Sequence, residues 1–120
     1  AQRLVNDFPE YFHYFSLPEF TYNNIRQYNR NPLLNRTSLG VDGLKTGHTE
    51  IAGYGIVLTA KHPASGRRLI LVVNGLDSTK SREQESEALL GWGFRNFETK
   101  SMVQAGQVLG RADVWLGSED

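Results

Sequence analysis

The chain has 120 residues, with 13 basic against 13 acidic side chains, and 39% of it is hydrophobic. That length bounds it at one ordinary domain or part of a larger one; the cancelled charge argues against nucleic acid or anionic lipid as a partner, and the apolar content argues against disorder. No Cys means no disulfide, thiol nucleophile or thiolate metal site, and the longest apolar run, Leu69 to Val73, is far short of a membrane span. Ala1 opens the chain without Met or a charged leader, and both ends read as interrupted, as if a leader were removed or a longer chain cut.

Residues 8–35 interleave aromatics (Phe8, Tyr11, Phe12, Tyr14, Phe15, Phe20, Tyr22, Tyr28) with amides (Asn23, Asn24, Gln27, Asn29, Asn31, Asn35). Pro9 suits the first position of a short helix over 9–14, where its missing N–H is not needed. Pro18 and Pro32 argue against one long helix. An extended segment over 20–28 follows, then loop. The aromatics are expected to pack against a neighbouring layer, since aromatic side chains dominate core area. His13 is expected to be packed and His62 to lie in a turn.

Residues 41–49 read as a strand that carries polar residues. Residues 53–61 and 67–75 read as two strands, almost continuously apolar and so covered on both faces. His62-Pro63-Ala64-Ser65-Gly66 between them is a turn of hairpin length, and the three strands form an antiparallel meander. Residues 81–97 predict a helix. Ser81 and Gln84 have capping-box spacing, with Ser78 and Thr79 as alternative caps. Leu89, Leu90, Phe94 and Phe97 form its apolar stripe, Glu83, Glu85 and Glu87 suit its positive end, and Gly91 and Gly93 let it lie close to the sheet. After Thr99 the composition turns to short alternating pieces around Val103, Val108, Val114 and Leu116. The segment from Gly106 to Gly117 reads as opening strands. The domains are therefore drawn at 1–98 and 99–120, the second being the start of a truncated β-rich unit, and the fold class is α+β.

The chemistry concentrates in Gly40-Val41-Asp42-Gly43-Leu44-Lys45-Thr46-Gly47-His48-Thr49. A phosphate-binding P-loop fails, because its second Gly would fall on Lys45, and the glycine spacing fits no dinucleotide fingerprint. Asp42-Gly43 has the spelling of a hairpin turn. Lys45-Thr46-Gly47 ahead of a strand is the third signature of the penicillin-recognising serine acyltransferases. With it stand the stretch from Phe20 to Asn31, Val41-Asp42-Gly43-Leu44, Ala52-Gly53-Tyr54, Ser81-Arg82-Glu83 and the run from Leu90 to Glu98. Together these closely resemble the D-alanyl-D-alanine carboxypeptidases, low-molecular-mass penicillin-binding proteins of Gram-negative bacteria.

The resemblance implies the β-lactamase/transpeptidase-like fold: residues 1–98 as the C-terminal part of the catalytic domain, then the start of the C-terminal β domain. It also implies a serine that attacks the penultimate D-Ala carbonyl of a peptidoglycan stem peptide ending in D-Ala-D-Ala, with β-lactam antibiotics acylating the same serine. None of the eight Ser residues has Lys three positions later, and no Ser-x-Asn occurs. Both signatures would lie in a segment before Ala1, so the chain alone is expected to be inactive. By the resemblance, Lys45 sets a positive charge beside the nucleophile, and the His48 backbone N–H is an oxyanion donor. Thr46 hydrogen-bonds the substrate carboxylate, and Gly47 and Thr49 border an extended peptide laid along the strand. Lys45 and Thr46 should point to opposite faces, so the substrate must run along an open edge. That makes 41–49 an edge strand and leaves 53–61 and 67–75 interior.

Arg82, in the first turn of its helix, opposes the helix dipole; it reads either as a cationic lining near the substrate carboxylate or as a solvated helix-end residue. The His48 side chain is expected at the cleft rim. No cofactor or metal is expected. The implied site of action is the periplasm, with inner-membrane association in the full-length protein. Two alternatives stay open. One is a class A β-lactamase, whose Glu-x-x-x-Asn spelling recurs at Glu19 to Asn23 but too near Lys45. The other is a non-catalytic module binding peptidoglycan or a partner through a sheet edge. With no preceding segment, faces of 53–61 and 67–75 would be left uncovered.

Overall fold

The computed structural model describes residues 1–112 and 115. In chain order they form helix α1 (Gln2–Asp7), a 3-10 segment (Pro9–Ser16), strands β1 (Glu19–Tyr22) and β2 (Ile25–Tyr28), a short 3-10 turn (Thr37–Leu39), strands β3 (Val41–Thr49), β4 (Gly53–Lys61) and β5 (Arg68–Leu76), and helix α2 (Thr79–Asn96). The meander is present in the order β3-β4-β5, antiparallel throughout, and β1 pairs with β2 as a separate ribbon. β3 is an edge strand and β4 is central, as expected. β5 is not interior: it forms the other edge among the described residues.

Side-chain alternation divides the sheet. Ile56, Leu58 and Ala60 of β4 lie beside Val73, Leu71 and Leu69 of β5, and Leu90 and Phe94 of α2 cover them, with Leu33 and Val41 completing the core. Each fully buried side chain of this kind contributes about 1.5–3 kcal/mol. Gly93 permits the close approach, since a Cβ there would lie 3.0 Å from Leu69 Cδ1; Gly91 faces Arg95 instead. The predicted helix stripe narrows to Leu90 and Phe94, because Leu89 and Phe97 are exposed. On the opposite face Ile70 is exposed and Val72 is 59% exposed.

The helix starts two residues before the expected position. Ser78 caps it, its side chain accepting from the Ser81 N–H at 3.0 Å. No acid occupies the first turn. Glu83 and Glu87 bind Arg36 at 2.8 and 2.7 Å, tying the loop before β3 to α2. The hydrogen bond that Arg36 donates to Glu83 and the charge of Glu87 hold the Arg36 pKa above its ordinary value. At the other end Arg67 Nη2 donates to the Phe94 carbonyl at 2.6 Å, supplying a partner to a helix-end acceptor.

Asp42 is not in a turn. It is the extra residue of a bulge in β3: Val41 faces Ala60, Gly43 faces Thr59, and the register shifts between them. Arg68 grips the Asp42 carboxylate through two hydrogen bonds, 2.8 and 2.7 Å, and the Thr59 hydroxyl donates to it at 2.8 Å. The Arg68 guanidinium lies 5.2 Å from the Phe12 ring centre. Phe12 and Phe15 of the 3-10 segment pack over Gly43, where a Cβ would meet both at 3.3 Å.

The rest of the aromatic stretch departs from its expectation. Phe8, Tyr11, Tyr14, Phe20, Tyr22 and Tyr28 are exposed, as is His13. The segment 20–28 is a hairpin, folded back at Asn23 and Asn24, whose φ values of 48° and 61° suit asparagine. The amides act as staples. Asn29 donates to the Phe15 and Leu17 carbonyls, and buried Asn31 donates to the Gly43 carbonyl at 3.2 Å. His62 is half-buried, with its Nδ1 accepting from the Ser65 N–H at the β4–β5 turn. Residues 97–112 form no helix or strand, so the strands expected from Gly106 are not found as far as residue 112. Val114, Leu116 and Gly117 lie outside the described residues.

Candidate active site

β3 presents Lys45, Thr46, Gly47, His48 and Thr49 in a row along one hollow of about 300 Å³. A second hollow of about 320 Å³, bordered by Tyr14, Phe15, Tyr28 and Arg30, shares Lys45 and Thr46 with the first. Both open on the strand that has no neighbour on its outer side among the described residues. Register fixes the facing. Lys45 lies opposite Val57 and Gly47 opposite Gly55, on the face away from α2; Thr46 lies opposite Ile56 and His48 opposite Tyr54, on the helix face. The opposite facing of Lys45 and Thr46 is therefore present. It is bridged at the backbone, where Lys45 Nζ donates to the Thr46 carbonyl at 2.7 Å. Residues two apart in an antiparallel strand turn their N–H and C=O to the same side. The His48 N–H therefore faces the side on which the Thr46 carbonyl receives the lysine.

Gly47 has no heavy atom within 4 Å of where a Cβ would stand, so the strand is bare there. His48 is exposed, and its ring stacks on Tyr54 at 3.9 Å with 28° between planes. Thr49 Oγ1 accepts from the Ala52 N–H at 2.9 Å and so ties the β3–β4 turn. No serine lines either hollow among the described residues, and no group of three or more His, Asp or Glu side chains there could hold a metal.

Arg82 is not a solvated helix-end residue. It is buried, with 7% exposed, and its guanidinium lies 5.7 Å from the Tyr54 ring centre. Nor does it line the Lys45 hollows; it sits behind Tyr54 on the helix face. Tyr54 and Asn74 belong to the site's surroundings; in the sequence Tyr54 stands out only as part of the Ala52-Gly53-Tyr54 resemblance, and neither residue has a site role there. The signal for Tyr54 was the short turn between residues 49 and 53, which fixes it opposite His48. Asn74 had no such signal, since the bulge between β4 and β5 hides its alignment.

Residues 1–78 match the family described as D-alanyl-D-alanine carboxypeptidase. The chain is 46% identical over all 120 residues to D-alanyl-D-alanine carboxypeptidase DacA of Escherichia coli K12, of which it spans 29%. Its structure resembles penicillin-binding protein 5 from Haemophilus influenzae, with a TM-score of 0.83 and 45% identity over 90% of this chain and 31% of that one. Penicillin-binding protein D2 from Listeria monocytogenes in its cefotaxime-bound form gives 0.67 and 33%, over 77% of this chain and 36% of that one. The α+β arrangement is thus part of the penicillin-binding fold expected from sequence, and the chain spans under two-fifths of each of these relatives. By the family match over residues 1–78 and the identity over its whole length, the chain belongs to the D-alanyl-D-alanine carboxypeptidase family.

Proposed function

We propose that the chain is the Lys-Thr-Gly-bearing part of a serine-type D-Ala-D-Ala carboxypeptidase that trims peptidoglycan stem peptides through an acyl-serine intermediate and is inhibited by β-lactams. The observation that carries this is the edge of β3, unpaired among the described residues, with Lys45 and Thr46 held at the junction of two hollows. The nucleophile comes from a segment carrying Ser-x-x-Lys and Ser-x-Asn, seated over the face that holds Lys45 and Gly47. Lys45 places a positive charge beside that serine and favours its oxyanionic forms. The His48 N–H and the serine's own N–H stabilise the tetrahedral oxyanion; one such donor is worth roughly 3 kcal/mol, on the order of a hundredfold in rate. On the other face the Thr46 hydroxyl binds the terminal carboxylate, and Arg82, buried behind Tyr54 and outside the two hollows, supplies its countercharge. Arg82 suits that role as a buried cation that no carboxylate among the described residues pairs.

We propose the domain boundary at 98/99; α2 ends at Asn96, and residues 97–112 hold no helix or strand. The proposed site of action is the periplasm, with inner-membrane association in the full-length protein; no helix among the described residues is long and apolar enough to cross a membrane. The β-lactamase and non-catalytic readings are not favoured, because the family matched over residues 1–78 and the relatives matched over all 120 residues are carboxypeptidases.

Labelled penicillin tests the proposal. The full-length protein should be acylated on a Ser-x-x-Lys serine outside residues 1–120, and the 120-residue chain alone should not be labelled. Lys45→Ala in the full-length protein should slow acylation at least a hundredfold with the fold intact. Stable acylation of a serine within residues 1–120, or an unchanged rate in Lys45→Ala, would overturn the assigned roles. Rapid turnover of penicillin would favour the β-lactamase reading.

A further inference from the structure

Arg82 is a buried cation with few partners of its own. Its Nε is buried without a hydrogen bond, and its Nη2 stands 3.5 Å from the Arg30 carbonyl, at the outer limit of one. A desolvated guanidinium held so loosely by hydrogen bonds needs another constraint if it is to meet an anion in a fixed place. Tyr54 supplies one. Its ring centre lies 5.7 Å from the guanidinium carbon, within cation–π range, and the same ring stacks on His48 of the site strand at 3.9 Å. Tyr54 itself is half-buried in β4 and pairs with His48 across the ladder, so its ring is fixed by the sheet.

We propose that Tyr54 is a positioning residue for carboxylate recognition: its ring bridges the His48 imidazole and the Arg82 guanidinium and so fixes the guanidinium relative to the β3 edge. This rests on the carboxylate site under "Proposed function". The contact uses the ring face and not the hydroxyl, so phenylalanine should serve in its place. Loss of the ring should weaken recognition of a terminal anion specifically, because the backbone donors and Lys45 would remain where they are.

The test uses the full-length enzyme and two peptides, one ending in D-Ala-D-Ala with a free carboxylate and one with the terminal carboxamide. Wild type should prefer the free acid. Tyr54→Leu should lower kcat/KM for the acid about tenfold, chiefly through KM, and barely alter the amide. Tyr54→Phe should restore wild-type behaviour, and Tyr54→Leu should have no further effect once Arg82→Met is present. A preference for the acid that survives in Tyr54→Leu, an equal loss on both peptides, or failure of Tyr54→Phe to rescue would overturn the proposal while leaving the carboxypeptidase reading standing. A wild type indifferent to the carboxylate would sink both this proposal and the carboxylate site. Should Tyr54→Leu fail to fold, Tyr54→Met fills similar space without a ring and carries the same expectations.

Discussion

Gly47→Ala separates stability from chemistry with one methyl group. A Cβ at Gly47 meets no heavy atom within 4 Å, and the residue is outside the left-handed region, so alanine fits the strand as it stands. Such a change narrows the unfolded ensemble and stabilises by about 0.4–1 kcal/mol. The melting temperature should therefore hold or rise by a few degrees. The same methyl projects into the hollow of about 300 Å³ that holds Lys45 and Asn74 at its wall, where the nucleophile and scissile carbonyl are proposed to meet. Crowding of the acylating group by that methyl, at the overpacking cost of about 1–3 kcal/mol, corresponds to a loss of about fivefold to 150-fold in acylation rate. The assay is the second-order rate of acylation of the full-length protein by a fluorescent penicillin, with thermal denaturation of the same sample. Wild-type acylation at an unchanged melting temperature would show that nothing closes over Gly47, and the reasoning would fail.

Two further variants probe the scaffold. Gly40 has φ +63°, and a Cβ there would stand 2.0 Å from the Lys61 carbonyl oxygen, while Gly40 itself accepts the Lys61 N–H at 2.8 Å. Gly40→Ala combines left-handed strain of about 1–2 kcal/mol with the loss of about 1 kcal/mol for that hydrogen bond, so the urea midpoint should fall by the equivalent of about 2–3 kcal/mol; an unchanged midpoint would contradict the close approach. Leu90 is 1% exposed and its neighbour Leu89 40%. Leu90→Ala should cost about 2–5 kcal/mol and Leu89→Ala under about 1 kcal/mol, and equal losses by the same titration would refute the facing assigned to α2.

The meander and helix were legible because their signals are local. Two apolar runs flank His62 to Gly66, and Ser78 stands where a cap belongs. What was missed depends on contacts between distant residues. The sequence leaves Arg82 open between a cationic lining and a solvated helix end, and only the contacts with Arg30 and Tyr54 show it buried. Asp42-Gly43 spells a turn, yet Arg68 arrives from 26 positions away and makes Asp42 the anchor of a bulge. α1 is a six-residue helix with no side-chain cap at Ala1, too short to leave a period. The hairpin at Asn23-Asn24 was legible in principle, since two residues tolerant of positive φ sit between short β-prone runs. The Lys45 row itself stood out by spelling, but its division between two faces needed the register with β4.

That register traces to a single inserted position. Asp42 and Gly43 both turn toward Thr59, so every later side chain of β3 is shifted by one step of the pleat. Counted without the insertion, Lys45 would fall opposite Ile56, its ammonium driven toward the oily interior, and Thr46 would fall opposite Gly55. The carboxylate clamp formed by Asp42, Thr59 and Arg68 therefore sets the parity of the ribbon: it decides which of two neighbouring residues faces the proposed nucleophile and which the proposed peptide terminus.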